Sequence, residues 1–182
     1  MGITANLIVG SNIINYLAEI FSRRKLKCSS RCSSSGGSAA MCSGAQLVPS
    51  FRVVPGSAGA GNIVYRLTVT NRGKAACVVT GLPIVQLYGK TGKRLPTRVR
   101  AAFPQALTAI LVTVAPGQSA HAKARFSPDV PGPGEPVSGS GCEPTSYWVS
   151  VTAGGVGSAK GRVLPPTPVC EHGSLQFTAY TR

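Results

Sequence analysis

The sequence predicts an all-β protein: a mostly antiparallel β-sandwich of about seven to eight strands, preceded by an N-terminal amphipathic helix and a flexible linker. The composition is 43% hydrophobic but only 13% charged, with 22 Gly and 14 Pro. That balance favours short strands and many turns over helices. From Cys42 onward, runs of five to ten residues alternate between hydrophobic and polar side chains, which is typical of half-buried strands.

Two runs show the alternation most clearly. In NIVYRLTVTN the apolar positions are Ile63, Tyr65, Leu67 and Val69. In SAHAKARF they are Ala120, Ala122, Ala124 and Phe126. One face of each strand is therefore expected in the core and the other in water. Because no helical pattern separates the strands, we predict two packed sheets, the immunoglobulin-like arrangement. Residues 127–141, rich in Pro and Gly, are predicted to form a surface loop.

Residues 1–27 differ in kind from the rest. Their apolar residues recur at spacings of three and four, which predicts an amphipathic helix. Positive charge follows the apolar run, the opposite of a secretory signal, and several Asn with Glu19 make membrane insertion costly. We interpret residues 3–27 as a helix on a membrane surface or a partner, with a leader that has no role in the mature protein as the alternative. Residues 28–41 resemble a Ser/Gly-rich linker, and residues 42–182 form the domain.

The six cysteines indicate an oxidising, extracytoplasmic compartment. They are Cys28, Cys32, Cys42, Cys77, Cys142 and Cys170. Residues alone leave fifteen pairings open for six cysteines and three for the last four. We assign Cys28 and Cys32 no role. The absence of a CxxC pair, and of metal-ligand spacing around His121 and His172, argues against a zinc site.

The net charge is +14. Residues 42–182 contribute +10 of this, because they hold fourteen Lys or Arg and four acidic residues. Most of these cations stand singly along the chain, and the dense stretch 90–100 has no interleaved aromatic residue, which argues against nucleic-acid binding. We therefore expect a positive surface that faces an anionic cell-envelope polymer or an unknown protein. Its candidate residues are Lys90, Lys93, Arg94, Arg98 and Arg100.

No residue pattern predicts catalysis, a metal or a cofactor. His121 lies on the polar side of a strand, His172 lies in a turn, and all four acidic residues of the domain fall in loops. Tyr147 and Trp148 are neighbours on one strand and point to opposite faces. Trp148 is expected to pack on a disulfide, and a solvent-exposed aromatic platform for carbohydrate or peptide is the alternative.

Several motifs, in order, resemble one known family. The most specific is LTVTNRGKAACVVTGLPIVQLYGKTG, followed by VAPGQSAHAKARFS, CEPTSYWVSV and PVCEHGSLQFTAY. They are similar to the actinobacterial secreted domain family catalogued as DUF4232, whose members are lipoproteins or exported envelope proteins without a known biochemical role. This resemblance, together with the strand order, favours the disulfides Cys42–Cys77 and Cys142–Cys170. The chain departs from the family in lacking a clear export signal or lipobox.

These observations predict a non-enzymatic secreted or cell-envelope binding module. The alternative is a structural subunit of an assembly, docked through its N-terminal helix to a partner or a membrane surface.

Overall fold

A computed structural model describes residues 39–104, 111–137 and 141–182. They form ten strands: β1 Leu47–Val53, β2 Ile63–Asn71, β3 Cys77–Thr80, β4 Ile84–Tyr88, β5 Arg98–Ala101, β6 Leu111–Val114, β7 Ser119–Phe126, β8 Ser146–Thr152, β9 Ala159–Thr167 and β10 Ser174–Phe177. Short helical segments are Gly44–Gln46 and Cys170–Gly173. The all-β prediction is therefore confirmed for these residues. The predicted helix 1–27 and most of the linker 28–41 lie outside the described residues.

Eight strands form one large sheet in the order β4-β8-β9-β1-β2-β7-β10-β5, and β3 pairs with β6. Strands β4 and β5 lie at opposite ends of that order, yet they are joined by the short segment 89–97. Within this segment the Leu95 amide donates to the Leu87 carbonyl at 3.0 Å, and the Leu87 amide donates to Thr97 Oγ1 at 3.0 Å. The large sheet therefore curls until its two edges almost meet.

The structure adds two strands that the sequence pattern does not predict, β5 and β9. Each makes a parallel pairing, β5 with β10 and β9 with β1, within an otherwise antiparallel arrangement. Strand β9 contains Pro165 and Pro166, residues that usually exclude a strand interior. They are tolerated because the register between β8 and β9 shifts between Ser146 and Trp148, which leaves both prolines outside the paired positions.

The core lies on the inner face of the curled sheet. Its centre is aromatic: the Phe51 ring lies 5.0 Å from Tyr65 and 6.1 Å from Phe177, and Tyr65 lies 5.2 Å from Phe126. Such ring pairs contribute about 0.5–1.5 kcal/mol each beyond the area they bury. The Tyr65 hydroxyl donates to the Pro165 carbonyl at 2.9 Å, so this buried polar group is satisfied. The predicted inward positions of β2 and β7 are confirmed, with Ile63 partly buried at the edge of the core.

Both predicted disulfides, Cys42–Cys77 and Cys142–Cys170, are present. By the chain-entropy model, bridges over loops of this length stabilise the fold by about 3–4 kcal/mol each. They indicate an oxidising compartment. No helix within the described ranges has the length and hydropathy needed to cross a bilayer.

Asn71 explains the Asn-Arg-Gly motif at the end of β2. Its side chain is fully buried. The amide nitrogen donates to the carbonyls of Ala75 and Val114, both at 2.9 Å, and the amide oxygen accepts the Gly73 N–H at 2.8 Å. One side chain thus shapes the turn that leads to Cys77 and ties it to β6.

We expect Asn71→Leu to lower the free energy of unfolding by about 2–4 kcal/mol, because it leaves buried backbone groups without partners. Urea unfolding measures the change. Asn62→Leu is the matched control: its amide donates to Ala60 in an exposed turn, so its cost should stay within about 1 kcal/mol. Equal losses in the two variants would show that the Asn71 hydrogen bonds are not what stabilises this turn.

Candidate functional site

Three cations face one another on the outer surface of the large sheet. Strand β2 is paired on both sides, and Arg66 lies directly opposite Arg52 of β1 and Lys123 of β7. All three are exposed, because the alternation that buries Tyr65 and Leu67 turns Arg66 outward. The register therefore places three like charges in one row across three strands.

A second row extends this surface. Arg125 of β7 is opposite Gln176 of β10, which is in turn opposite Arg100 of β5. All three residues are exposed. We call Arg52, Arg66, Lys123, Arg125 and Arg100 together the basic face.

No carboxylate neutralises these cations. Within residues 39–104, 111–137 and 141–182, no Lys or Arg forms a salt bridge, since the only pairs join His172 to glutamates. The four acidic residues of the domain lie outside the strands. The basic face therefore keeps its positive potential.

Two shallow grooves flank Arg66. One, of about 430 Å³, is lined by Arg66, His121, Lys123, Thr178 and Arg182, among others. The other, of about 260 Å³, runs between Arg52 and Arg66. His121 lies at the first groove, as expected on the polar face of β7, and its Nδ1 is 3.0 Å from Thr68 Oγ1. The surface is thus grooved and hydrogen-bonding as well as charged.

Trp148 is half-buried on the outer face of β8, the position given above as the alternative to packing on a disulfide. The buried residues of β8 are Ser146, Val149 and Val151. After the register shift between Ser146 and Trp148, positions 149 and 151 face inward, which places Trp148 on the outer face. The Arg162 guanidinium lies 4.9 Å and the Lys160 ammonium 5.3 Å from the Trp148 ring. Its ring therefore holds two cations by cation–π contact. Tyr147 lies at the register shift of β8 and is half-buried, so the simple alternation fails at this pair.

The other predicted surface residues separate in space. Lys90 and Lys93 are exposed in the turn after β4, and Arg94 donates to Gln86 Oε1 at 2.8 Å. Arg98 and Arg100 lie on β5. Among the cations of residues 90–100, only Arg100 is aligned with Gln176 in the second row of the basic face, through the pairing of β5 with β10.

A second cluster forms where residues 127–137 and 141–143 meet the Cys170–Gly173 turn. Glu135 is buried, and its carboxylate accepts the backbone N–H groups of Gly132 at 2.6 Å, of Glu171 at 2.8 Å and of His172. Glu171 and His172 both have positive φ, 55° and 56°, which turns these amides toward the carboxylate. Glu135 therefore acts as an internal anion that closes the turn.

Glu143 and His172 complete this cluster. The His172 Nδ1 atom is 3.6 Å from Glu135 Oε1 and 3.9 Å from Glu143 Oε1. Burial opposes ionisation of Glu135, but the N–H donors of His172, Gly132 and Glu171 outweigh it and lower its pKa below the ordinary value. Burial, together with the nearby Glu135 carboxylate, raises the pKa of Glu143. The two carboxylates are therefore electrostatically coupled.

Sequence reasoning missed both clusters for the same reason. Arg52, Arg66 and Lys123 look isolated along the chain, and Glu135 and His172 are 37 residues apart. A usable signal existed for four of the five cations of the basic face, because all except Arg100 lie on strands that the sequence predicts and face outward there. No comparable signal existed for the loop cluster, whose residues come from segments that the Cys142–Cys170 bridge joins.

Comparison with known proteins gives one match. The model of the family described as "Domain of unknown function (DUF4232)" matches residues 42–181. No curated protein and no solved structure matches the chain.

We expect Glu135→Gln to lower the free energy of unfolding at neutral pH by about 2 kcal/mol, since hydrogen bonds to a charged acceptor contribute about 1.5–3 kcal/mol. The folded-state pKa of Glu135 is lowered. The stabilisation that its charge contributes to the fold is therefore fully present above the unfolded-state pKa of about 4.3, and it is lost as the pH falls through the folded-state pKa. Wild type and variant should therefore converge in acid. Urea unfolding across this pH range, with a chelator present, measures the difference in free energy of unfolding between wild type and Glu135→Gln.

The control for this prediction is Glu171→Gln, which removes an exposed carboxylate from the same turn. It should change stability by less than about 0.5 kcal/mol. A gap between wild type and Glu135→Gln that persists unchanged to the lowest pH would contradict the role assigned to the Glu135 charge.

Proposed function

This chain belongs to the DUF4232 family, and from that premise we propose that it is a non-enzymatic module, secreted or attached to the cell envelope, that binds an anionic envelope polymer on its basic face. The observation that carries the proposal is the register of Arg52, Arg66 and Lys123, which aligns three exposed cations across three strands.

Without a bound anion, the alignment of these three cations destabilises the folded sheet. Like charges directly opposite each other in a sheet destabilise it, by a fraction of a kcal/mol up to about 1 kcal/mol per pair. An anion that lies along the row removes this repulsion and forms charge-assisted hydrogen bonds, which Arg can make in bidentate form to carboxylate or phosphate. Bound ligand and folded sheet then stabilise each other.

The extent of the face favours a polymer over a single small ion. The two rows span β1, β2, β7, β10 and β5, and open grooves lie on both sides of Arg66. Among the outward-facing residues of the fully described strands β1, β2 and β7 there is no Phe, Tyr or Trp. The face thus offers charge and hydrogen bonds without the stacking platforms typical of single-stranded nucleic-acid sites.

The proposal extends to compartment and fold class. Two disulfides favour export, and envelope polymers that carry phosphate or carboxylate would be the ligands met there. The β3–β6 pair contributes Val79, Val112 and Val114 to the same core as the large sheet. This packing supports an immunoglobulin-like sandwich, in which that pair belongs to the second layer.

Binding of the full chain to fluorescent polyphosphate and poly-L-glutamate, followed by anisotropy at several salt concentrations, tests the proposal. We expect wild-type affinity to fall steadily with salt. Arg66→Gln with Lys123→Gln should weaken binding roughly 2- to 25-fold, from about 0.2–1 kcal/mol per exposed charge contact. The same double variant should be at least as stable as wild type, because like-charge repulsion is relieved.

Lys90→Gln with Lys93→Gln is the matched control, since it removes the same charge from a turn outside the basic face. It should change the affinity by less than about twofold at physiological salt, where the screening length is about 8 Å. Equal weakening by both double variants, or no measurable binding of either polymer, would refute the proposed function.

A further inference from the structure

We infer that Glu135, Glu143 and His172 form a binding site for one divalent cation of the zinc class. One ligand atom from each residue lies within 4.8 Å of the other two. None of these three residues belongs to the basic face, although Arg100 of that face lines a groove that reaches His172, and the inference does not rest on the proposed function.

The first argument is the state of the His172 ring. Its Nε2 atom lies 3.1 Å from the carbonyl oxygen of Pro133. A carbonyl oxygen can only accept a hydrogen bond, so Nε2 carries a hydrogen, and Nδ1 is the ring nitrogen left to bind a metal. Metal-binding histidines are commonly oriented in this way, with the second ring nitrogen donating to a backbone carbonyl.

The second argument is that three possible metal ligands converge. Nδ1 of His172 lies 3.6 Å from Glu135 Oε1 and 3.9 Å from Glu143 Oε1, distances too long for hydrogen bonds. Glu135 is nearly buried and Glu143 mostly so, with side chains 2% and 13% exposed. Two ionised carboxylates shielded from water repel each other, and a cation between them reverses the sign of that interaction.

The third argument is that the ligands are already held in place. The carboxylate of Glu135 is fixed by backbone N–H groups. Glu143 follows Cys142, and His172 lies two residues after Cys170, so the Cys142–Cys170 bridge anchors both. A rigid scaffold reduces the entropy that ligand ordering would cost.

The donor set selects the class of metal. One imidazole nitrogen with two carboxylate oxygens suits Zn²⁺ better than Ca²⁺ or Mg²⁺, which prefer oxygen ligands alone. Ligands about 2.0–2.2 Å from Zn²⁺ lie roughly 3.0–3.6 Å apart in tetrahedral or octahedral geometry. The separations from His172 to the two carboxylates, 3.6 and 3.9 Å, are close to this range, and the two carboxylate atoms, within 4.8 Å of each other, need to approach by at most about 1–2 Å. Three protein ligands leave a coordination position for water or an anion. Arg98, Arg100 and His172 line one groove of about 310 Å³, through which water or an anion would reach that position.

The experiment is calorimetric titration of the tag-free full chain with ZnCl₂ after treatment with a chelator. The chain carries Cys28→Ser and Cys32→Ser, so that the N-terminal cysteines supply no thiolate. We expect one Zn²⁺ per chain and a higher melting temperature with Zn²⁺ than with Ca²⁺. His172→Asn, which tolerates the left-handed backbone, and Glu143→Gln should each weaken Zn²⁺ binding about tenfold or more.

Two controls separate ligand loss from unfolding. Glu171→Gln and His121→Asn remove the same residue types outside the cluster and should leave the Zn²⁺ affinity within about twofold. Without metal, Glu143→Gln should melt no lower than the parent chain, since it removes a like charge beside Glu135. Absence of a one-to-one site, equal binding by the His172 or Glu143 variants, or preference for Ca²⁺ would overturn the inference.

Discussion

The period of two along β2 is the constraint on which the rest of the domain depends. This strand is hydrogen-bonded on both sides, so its inward residues, Tyr65 and Leu67, meet the aromatic centre of the core. The same alternation forces Arg66 outward. A slip of one residue in register would bury Arg66 and expose Tyr65. The core therefore enforces the position of the cations, and no change can move the basic face without disrupting the packing beneath it.

Two regions of the domain thus carry unfavourable electrostatics that a ligand would relieve. On the basic face, cations stand opposite cations in the register of three strands. In the loop cluster, the carboxylates of Glu135 and Glu143 converge beside His172, and burial, together with the Glu135 charge, raises the pKa of Glu143. Folded proteins keep such local conflicts at functional sites and compensate for them elsewhere. Here the compensation comes from the aromatic core, from two disulfides and from the buried hydrogen bonds of Asn71 and Glu135.

The two sites differ in how they are held. The basic face lies on strands, and its spacing follows from the sheet itself. The loop cluster instead depends on the Cys142–Cys170 bridge and on Glu135, whose carboxylate closes the turn that carries His172. Reduction of that bridge should therefore affect the cluster more than the face. Substitutions within β2 should instead affect the basic face more than the cluster.

The sequence by itself determined the all-β class, eight of the ten strands described, the inward faces of β2 and β7 and, through the family resemblance, both disulfides. These follow from local patterns, because side-chain direction in a strand repeats every second residue. Tertiary structure decided the rest. Strands β5 and β9 escaped prediction because charge and proline obscure their alternation, and the choice between the two positions open to Trp148 depended on the register shift in β8. The rows of cations and the Glu135–Glu143–His172 cluster depend on register and loop closure between distant segments, and such pairings are set by packing across the sheet rather than by the neighbours of any one residue.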